Sequence, residues 1–270
     1  MTVKFDFHTH HERCGHADGT IRDYIEQALA NGLDMIGISD HSPYFGEEND
    51  HPHPGLTMAK SAFPDYVREV LDLKAEYAGK IEVLLGVESD YFPESFAIYR
   101  REYEKYPFDY IIGSVHVVGG LSIFNKNRWR NLGLQEQIAV KEQYYQLITQ
   151  SAQSGAFDIL GHIDAMKGYY PEFSDIPTDA EDRALKAIAA ANVAIEINTS
   201  GKTKYVGGWY PSDQMLEKAL HFGVQVTFGS DAHVPNRVGD EWEQVRKKLK
   251  DIGFKQWAVF RKRQRIMVDL

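Results

Sequence analysis

Histidines follow several apolar runs of this chain that have the composition of β-strands, and imidazole nitrogen is a common ligand for transition metals. Each lies at the carboxyl end of a run or just beyond it, where the side chains of a parallel α/β protein converge. Residues far apart in sequence can therefore meet in one pocket and bind several metal ions. The histidines concerned are His8, His10, His41, His116, His162 and His233.

A polynuclear metal site also needs carboxylates, which balance charge and bridge ions. Glu88 follows the third apolar run and is the natural bridge, and Asp231 follows the last run. Glu196 and Asn198 lie two residues apart at the end of the sixth run, so their side chains face the same way. We expect this pair to orient ligands or substrate. Each motif alone is weak evidence, and their joint occurrence carries the prediction.

Strands and helices alternate along the chain, a pattern typical of a parallel sheet covered by helices. Seven β/α units with one pocket at the strand ends favour a barrel over an open sheet. Amphipathic segments predict helices that include residues 94–105, 134–154, 178–191, 212–222 and 240–252. Apolar, β-branched runs predict strands at residues 3–7, 35–39, 81–87, 110–115, 159–161, 193–198 and 224–229, with a short final strand near 257–260.

The bulk composition limits the possible classes of function. The chain has 270 residues, 43% of them hydrophobic, and no obvious linker, which predicts one α/β domain over residues 1–270. The net charge of −9 argues against a nucleic-acid partner, and no apolar stretch is long enough to predict a membrane span. A single cysteine and the lack of a signal-peptide pattern favour the cytoplasm. The sequence does not predict an oligomeric state.

The motifs H-x-H, S-D-H, G-V-E, S-V-H, G-H, E-I-N-T-S-G and S-D-A-H, with a further histidine at His16, resemble the PHP (polymerase and histidinol phosphatase) superfamily. Within it the chain is similar to the histidinol-phosphate phosphatases over essentially its whole length. The resemblance implies a distorted (β/α)7 TIM-like barrel with three divalent ions of zinc, iron or manganese. It implies one metal on His8, His10, Glu88 and Asp231, a second on Glu88, His116 and His162, and a third on His16, His41 and His233.

The resemblance implies hydrolysis of L-histidinol phosphate to L-histidinol and phosphate in histidine biosynthesis. Two metal ions about 3.5–4 Å apart can hold a bridging hydroxide and polarise a phosphoryl oxygen. The main alternative is a PHP-type phosphoesterase that acts on another small phosphate monoester or on a nucleotide. A metal-dependent amidohydrolase and a non-catalytic metal-binding protein are the remaining hypotheses.

Several polar residues are candidates for contacts with the substrate. Asp18 and His41 are candidates for protonating the leaving alkoxide. Lys167, shortly after His162, is a candidate catalytic and phosphate-binding residue, although the phosphatases it resembles often have arginine near this position. Glu196 and Asn198 are candidates for positioning the substrate. Further candidates for phosphate contacts are Arg13, Arg128, Lys202, Lys204 and Arg237.

Overall fold

The computed structural model of the chain describes residues 2–270, and within them seven α-helices alternate with parallel strands. The helices are α1 Ile21–Ala30, α2 Phe63–Glu76, α3 Phe96–Tyr103, α4 Leu134–Gln153, α5 Ala180–Ala191, α6 Asp213–Phe222 and α7 Trp242–Ile252. The strands are β1 Phe5–Asp6, β2 Met35–Ile38, β3 Glu82–Leu85, β4 Glu88–Asp90, β5 Ile112–Ser114, β6 Val117–Val118, β7 Leu121–Ser122, β8 Ile159–Leu160, β9 Ala194–Asn198, β10 Gln225–Gly229, β11 Gln256–Arg261 and β12 Gln264–Asp269.

Two parallel sheets form a distorted barrel. One sheet has the order β1-β2-β3 and the other the order β10-β9-β8-β5-β4. On one side they are linked by a parallel bridge between Thr9 and Ala232, and on the other by a bridge between His41 and Glu88. The backbone N–H of Phe7 also donates to the carbonyl of Phe228 over 3.2 Å, so β1 and β10 lie side by side. The α/β barrel-like fold expected from the sequence is confirmed.

The third predicted strand, residues 81–87, differs from the expectation in one respect. The chain pairs with β2 as β3, turns away, and then pairs with β5 as β4. Glu88 begins this second part, so its side chain lies where the two sheets meet. The break therefore distorts the barrel at the position of the predicted bridging carboxylate.

The C-terminal strand predicted near residues 257–260 is one half of an antiparallel hairpin, β11 with β12. The hairpin packs on the barrel core, since the Trp257 ring lies 4.8 Å from that of Phe5 in an edge-on arrangement. Its turn reaches across the barrel, because the backbone N–H of Arg263 donates to the carbonyl of Asp109 over 2.8 Å. The hairpin covers the end of the barrel at which the parallel strands begin.

Local sequence signals explain where the helices begin and end. Thr20 caps α1, and its hydroxyl and backbone N–H both bond to Asp23 in a capping box. α6 ends at Gly223, whose φ of 77° is a left-handed conformation that glycine adopts without strain. No helix within residues 2–270 combines the length and the hydropathy needed to span a membrane.

Candidate metal centre

The end of β1, the start of β4 and the loop after β10 bring four predicted ligands together in the barrel interior. His8 Nε2 and His10 Nε2 lie 3.4 and 3.6 Å from Glu88 Oε2, and His10 Nε2 lies 3.0 Å from Asp231 Oδ1. Atoms that share one zinc-sized ion at about 2.0–2.2 Å lie about 3.0–3.5 Å from each other, which matches this spacing. Both Nε2 atoms and Glu88 Oε2 are buried and have no hydrogen-bond partner within residues 2–270. A cation would satisfy all three.

The other oxygen of Glu88 faces a second group of histidines. Glu88 Oε1 lies 3.0 Å from His162 Nε2 and 3.5 Å from His116 Nε2, and the two Nε2 atoms are 3.2 Å apart. The Ser114 hydroxyl donates to the same oxygen over 2.6 Å, which fixes the orientation of the carboxylate. Glu88 therefore stands between two groups of nitrogen atoms and presents one oxygen to each.

A third group of histidines lies beside the first. His16 Nε2 and His233 Nε2 are 3.1 Å apart, and the His41 ring centroid lies 5.1 Å from that of His16. The donor atoms of His10, His41 and His233 fall within 4.8 Å of one another. His41 also contacts Glu88, with Nδ1 2.9 Å from Oε2. The nine predicted ligands thus form one continuous cluster.

Two of these ligands have a left-handed backbone conformation, which residues other than glycine rarely adopt. His162 has a φ of 26° and Asp231 a φ of 53°. Left-handed conformations in residues other than glycine cost about 1–3 kcal/mol and cluster at functional sites. The turns after β8 and β10 direct both side chains into the cluster.

Carboxylates contact three of the imidazole rings on the side opposite Nε2, and those of Glu196 and Asp40 are fully buried. In each case a carboxylate oxygen lies within hydrogen-bond distance of Nδ1, which places the ring proton on Nδ1 and leaves the Nε2 lone pair for a metal. The ring orientation is thereby set by the protein. The pairs are His8 with Glu196 at 2.8 Å, His10 with Asp40 at 3.2 Å and His116 with Asp90 at 3.1 Å.

Glu196 and Asn198, the pair at the end of β9, connect several ligands. Besides its contact with His8, Glu196 accepts a hydrogen bond from the backbone N–H of His162 over 2.9 Å. Asn198 Nδ2 donates to Glu196 Oε1 over 2.7 Å and to Asp231 Oδ2 over 3.2 Å. The Ser200 hydroxyl also donates to Asp231 Oδ2, over 2.8 Å. These hydrogen bonds fix the positions of the His8 ring, the His162 backbone and the Asp231 carboxylate.

Burial and neighbouring charges shift the pKa values of the acids and bases of the cluster in opposite directions. Burial alone would raise the pKa of Glu88, but attraction by His41 and neighbouring imidazoles is stronger and holds this pKa well below its usual value. Burial would lower the pKa of His10, but its contacts with the carboxylates of Asp231 and Asp40 outweigh it and raise that pKa to about 9. The cluster is therefore a set of anionic carboxylates around imidazoles, which suits cations.

A cavity of about 480 Å³ opens above the cluster. Its floor is formed by the imidazoles and carboxylates, and its walls by loops that follow the strands. Hydroxyl groups, two basic side chains and an apolar surface line the walls, so an anionic group and an apolar or aromatic group could both be bound. The wall residues include Tyr44, Leu56, Asp90, Val117, Ser122, Phe124, Ser200, Thr203, Lys204, Val234 and Arg237.

Three predicted substrate contacts are placed elsewhere. The buried ammonium of Lys167 donates to Asp164 over 2.8 Å, and the Arg13 guanidinium pairs with Glu69 over 2.5 Å. Asp18 is exposed on the loop before α1. Among the residues that the structure describes, Lys167, Arg13 and Asp18 lie outside the cavity lining. Lys167 and Arg13 have other charged partners, whereas the backbone N–H of Asp18 donates to the carbonyl of His233 over 2.9 Å, so Asp18 lies beside the cluster without lining the cavity.

Two other basic candidates do line the cavity. Arg237 pairs with Asp240 at 3.0 Å and still contributes to the wall. Lys204 stands over the Phe124 ring, with its ammonium 5.3 Å from the ring centroid. Both groups lie on loops that follow β9 and β10, the side of the mouth next to Asp231.

Three supporting residues were not identified from the sequence. Asp40 precedes His41 in the S-D-H motif, Asp90 lies two residues after Glu88 on the same strand, and Ser114 begins the S-V-H motif. Proximity to predicted ligands was the available signal for all of them. Their hydrogen bonds depend on side-chain direction, which motif spacing alone does not give.

Known proteins resemble this chain in sequence and in overall fold. A family model described as the PHP domain matches residues 6–200. The chain belongs to the PHP domain family. Other family members include a probable histidinol-phosphatase of Deinococcus radiodurans, which is 32% identical over 255 residues, 94% of this chain and 95% of the relative. The histidinol-phosphatase of Bacillus subtilis is 31% identical over 89% of this chain and 97% of its own length.

A solved PHP structure has the same fold. The histidinol phosphate phosphatase of Lactococcus lactis, in complex with zinc, L-histidinol and phosphate, superposes with a TM-score of 0.79. The match covers 97% of this chain and 98% of the other, at 21% sequence identity. A similar fold at this level of identity shows that the barrel is shared.

Proposed function

We propose that this PHP protein is a phosphoric monoester hydrolase that converts L-histidinol phosphate to L-histidinol and inorganic phosphate in histidine biosynthesis. The observation that carries the proposal is the position of Glu88, which presents one oxygen to His8 and His10 and the other to His116 and His162. A carboxylate shared between two groups of nitrogen ligands is the arrangement expected of a polynuclear hydrolase. Relatives named histidinol-phosphatase over most of the chain support the substrate.

The proposed cofactor is three divalent ions of zinc, iron or manganese. The first would be held by His8, His10, Glu88 and Asp231, the second by Glu88, His116 and His162, and the third by His16, His41 and His233. Nitrogen with carboxylate oxygen is a donor set that suits all three metals. When bound, the ions would activate water and neutralise charge on the phosphoryl group.

The phosphate group would be bound from the cavity wall by Arg237 and Lys204. Both side chains line the cavity, although Arg237 is also paired with Asp240, whereas Lys167 and Arg13 lie outside the cavity and are paired with Asp164 and Glu69. Removing one partner of a buried ion pair leaves an uncompensated charge, which is costly for Lys167 in particular. Arg237 is the better of the two anchors because a guanidinium can bind two phosphate oxygens at once.

The leaving alkoxide requires a proton, and the two candidates differ in position. His41 lines the cavity and is 14% exposed, while Asp18 lies outside it. His41 is therefore the better placed of the two, and it would supply the proton only in enzyme whose third metal position is empty, because a metal on His41 would occupy the ring nitrogen that faces the cavity. The apolar wall that includes Tyr44, Leu56 and Phe124 would accept the imidazole end of the substrate and exclude water from that side. A cytoplasmic location stays a prediction.

A panel of phosphate-release assays tests this function. Histidinol phosphate, p-nitrophenyl phosphate, nucleoside monophosphates and a few amides would be compared at equal enzyme and metal concentrations, with chelator-treated protein as the control. We expect kcat/KM for histidinol phosphate to exceed that for nucleotides by at least about a hundredfold, a difference of about 2.7 kcal/mol. Equal rates for nucleotides would support the broader phosphoesterase, and amide hydrolysis alone would support an amidohydrolase.

A further inference from the structure

Asp40 differs from the other carboxylates behind the cluster because it serves two imidazole rings. It is fully buried, and its Oδ1 lies 3.2 Å from His10 Nδ1. Its Oδ2 lies 3.3 Å from Nε2 of the neighbouring His11. The backbone N–H of His41 also donates to Oδ1 over 2.9 Å. Asp40 therefore has three close neighbours, of which two bond to Oδ1 while His11 approaches Oδ2 without a hydrogen bond. One of the three, His10, is a ligand of the proposed first metal.

His11 is buried but faces away from the cluster. Its ring stacks on Tyr66 with a centroid distance of 5.4 Å, and its Nδ1 accepts the backbone N–H of Arg13 over 3.4 Å. Because Nδ1 accepts, the ring proton lies on Nε2, which is 3.3 Å from Asp40 Oδ2, close enough for electrostatic attraction but outside hydrogen-bond geometry. Tyr66 is itself fixed, since its hydroxyl donates to the carbonyl of Gly86 over 2.7 Å. The direction of His11 thus follows from the packing around it.

We propose that Asp40 is a positioning residue that orients the His10 ring toward the metal, and that His11 holds Asp40 in the rotamer that does so. The inference rests on the proposed metal centre and concerns metal binding alone. Partners of this kind usually change metal affinity about 10–100-fold when removed. His11, which directly follows the H-x-H motif, thereby acquires a role distinct from that of its neighbour.

A competing arrangement uses the same atoms. Donor atoms of His10, Cys14 and Asp40 also lie within 4.8 Å of one another and could form a separate metal group. A metal there would take His10 Nδ1 away from Asp40 Oδ1. The thiol of Cys14 instead donates to the carbonyl of His11 over 3.2 Å, which favours the positioning role. Replacing Cys14 distinguishes the two arrangements.

The test measures zinc affinity by chelator competition and, separately, the thermal unfolding of metal-free protein. Asp40→Asn should weaken the tightest zinc site at least about tenfold. His11→Phe keeps the stacking on Tyr66 but loses the Nε2 proton, and should weaken the same site to a smaller extent. The double variant should bind zinc no more weakly than Asp40→Asn alone, because His11 acts through Asp40. Cys14→Ala should leave affinity and stoichiometry unchanged.

Asp109→Asn is the matched control, since Asp109 is a buried carboxylate at the opposite end of the barrel. It should lower the unfolding temperature without changing zinc affinity. The proposal is overturned if Asp40→Asn and His11→Phe behave like this control, if their effects on affinity simply add, or if Cys14→Ala removes a zinc ion. Zinc binding is measured without substrate, so failure of the phosphatase assay would leave the result intact.

Discussion

Gly229 and Glu196 lie so close together that residue 229 has no room for a side chain. A Cβ atom there would come within 2.5 Å of Glu196 Oε2 and within 2.6 Å of His8 Cβ. The absence of a side chain allows Glu196 on β9 to reach across β10 to His8 Nδ1, at 2.8 Å. The glycine before Ser230 and Asp231 is thus a packing requirement of the site.

Gly229→Ala should therefore displace Glu196 and rotate the His8 ring. We expect lower metal content and a loss of about 1–3 kcal/mol in the free energy of unfolding, the usual cost of overpacking. Metal analysis of purified protein and denaturant unfolding measure the two effects. Gly133→Ala is the control, since its Cβ would make only an ordinary contact, 3.6 Å from Glu136. Equal metal content in both variants would contradict the prediction.

Glu88→Gln should affect two metal positions at once. The amide keeps the size of the side chain but replaces one oxygen with an NH₂ group and removes the charge that both groups of histidines face. We expect loss of more than one equivalent of metal and a fall in kcat/KM of more than about a hundredfold. Elemental analysis alongside phosphate release checks this. Full stoichiometry with full activity would exclude Glu88 as the bridge.

His16→Ala should remove one metal selectively. His16 contacts His233 at the edge of the cluster and contacts neither oxygen of Glu88, so the other two positions keep their ligands. We expect about one equivalent less metal than in the unchanged protein, measured after equilibrium dialysis against a fixed zinc concentration. Unchanged stoichiometry would count against a third position, and loss of all metal would show that the positions are interdependent.

Lys141→Met should destabilise the protein without affecting metal binding. Lys141 is buried on α4, and its ammonium donates to the carbonyl of Phe173 over 3.0 Å and pairs with Glu181 over 2.9 Å. Its loss leaves Glu181 with only the longer contact to Lys218 at 3.6 Å and removes the ammonium donor from the buried carbonyl of Phe173, at a cost of about 1–3 kcal/mol. Lys247→Met is the matched control, because Lys247 is exposed and its pair with Asp251 contributes little. Urea unfolding of both variants, with zinc titrations, measures the difference.

Metal removal should also lower stability. Nε2 of His8 and of His10 are buried without hydrogen-bond partners inside residues 2–270, so the metal-free protein leaves them unsatisfied. A metal at a thousand times its dissociation constant stabilises the folded state by about 4 kcal/mol. The unfolding temperature should fall after chelation and recover on zinc addition. Identical melting curves before and after chelation would show that no tight site exists.

The sequence by itself determined the fold class and which residues gather at the site. Alternating apolar runs predict parallel strands, and the ends of parallel strands meet, so His8, His116 and Asp231 could be placed together without coordinates. The motif order also pointed to the PHP family, which the family model confirms. These conclusions depend on residue type and on position along a strand, both of which can be read from sequence.

Only the tertiary structure decided which of the predicted polar side chains face the cavity. Lys167 and Arg13 were expected at the phosphate, but Asp164 and Glu69 bind them. Asp164 lies only three residues before Lys167, whereas Glu69 is on α2 and meets Arg13 only in the folded chain. The division of the third strand at Glu88 also depends on pairing between sheets. The direction of each side chain decided the roles of neighbouring residues, since His10 and the adjacent His11 point to opposite sides of the chain. Motif spacing contains neither loop proximity nor rotamers, so these features appear only when the chain is folded.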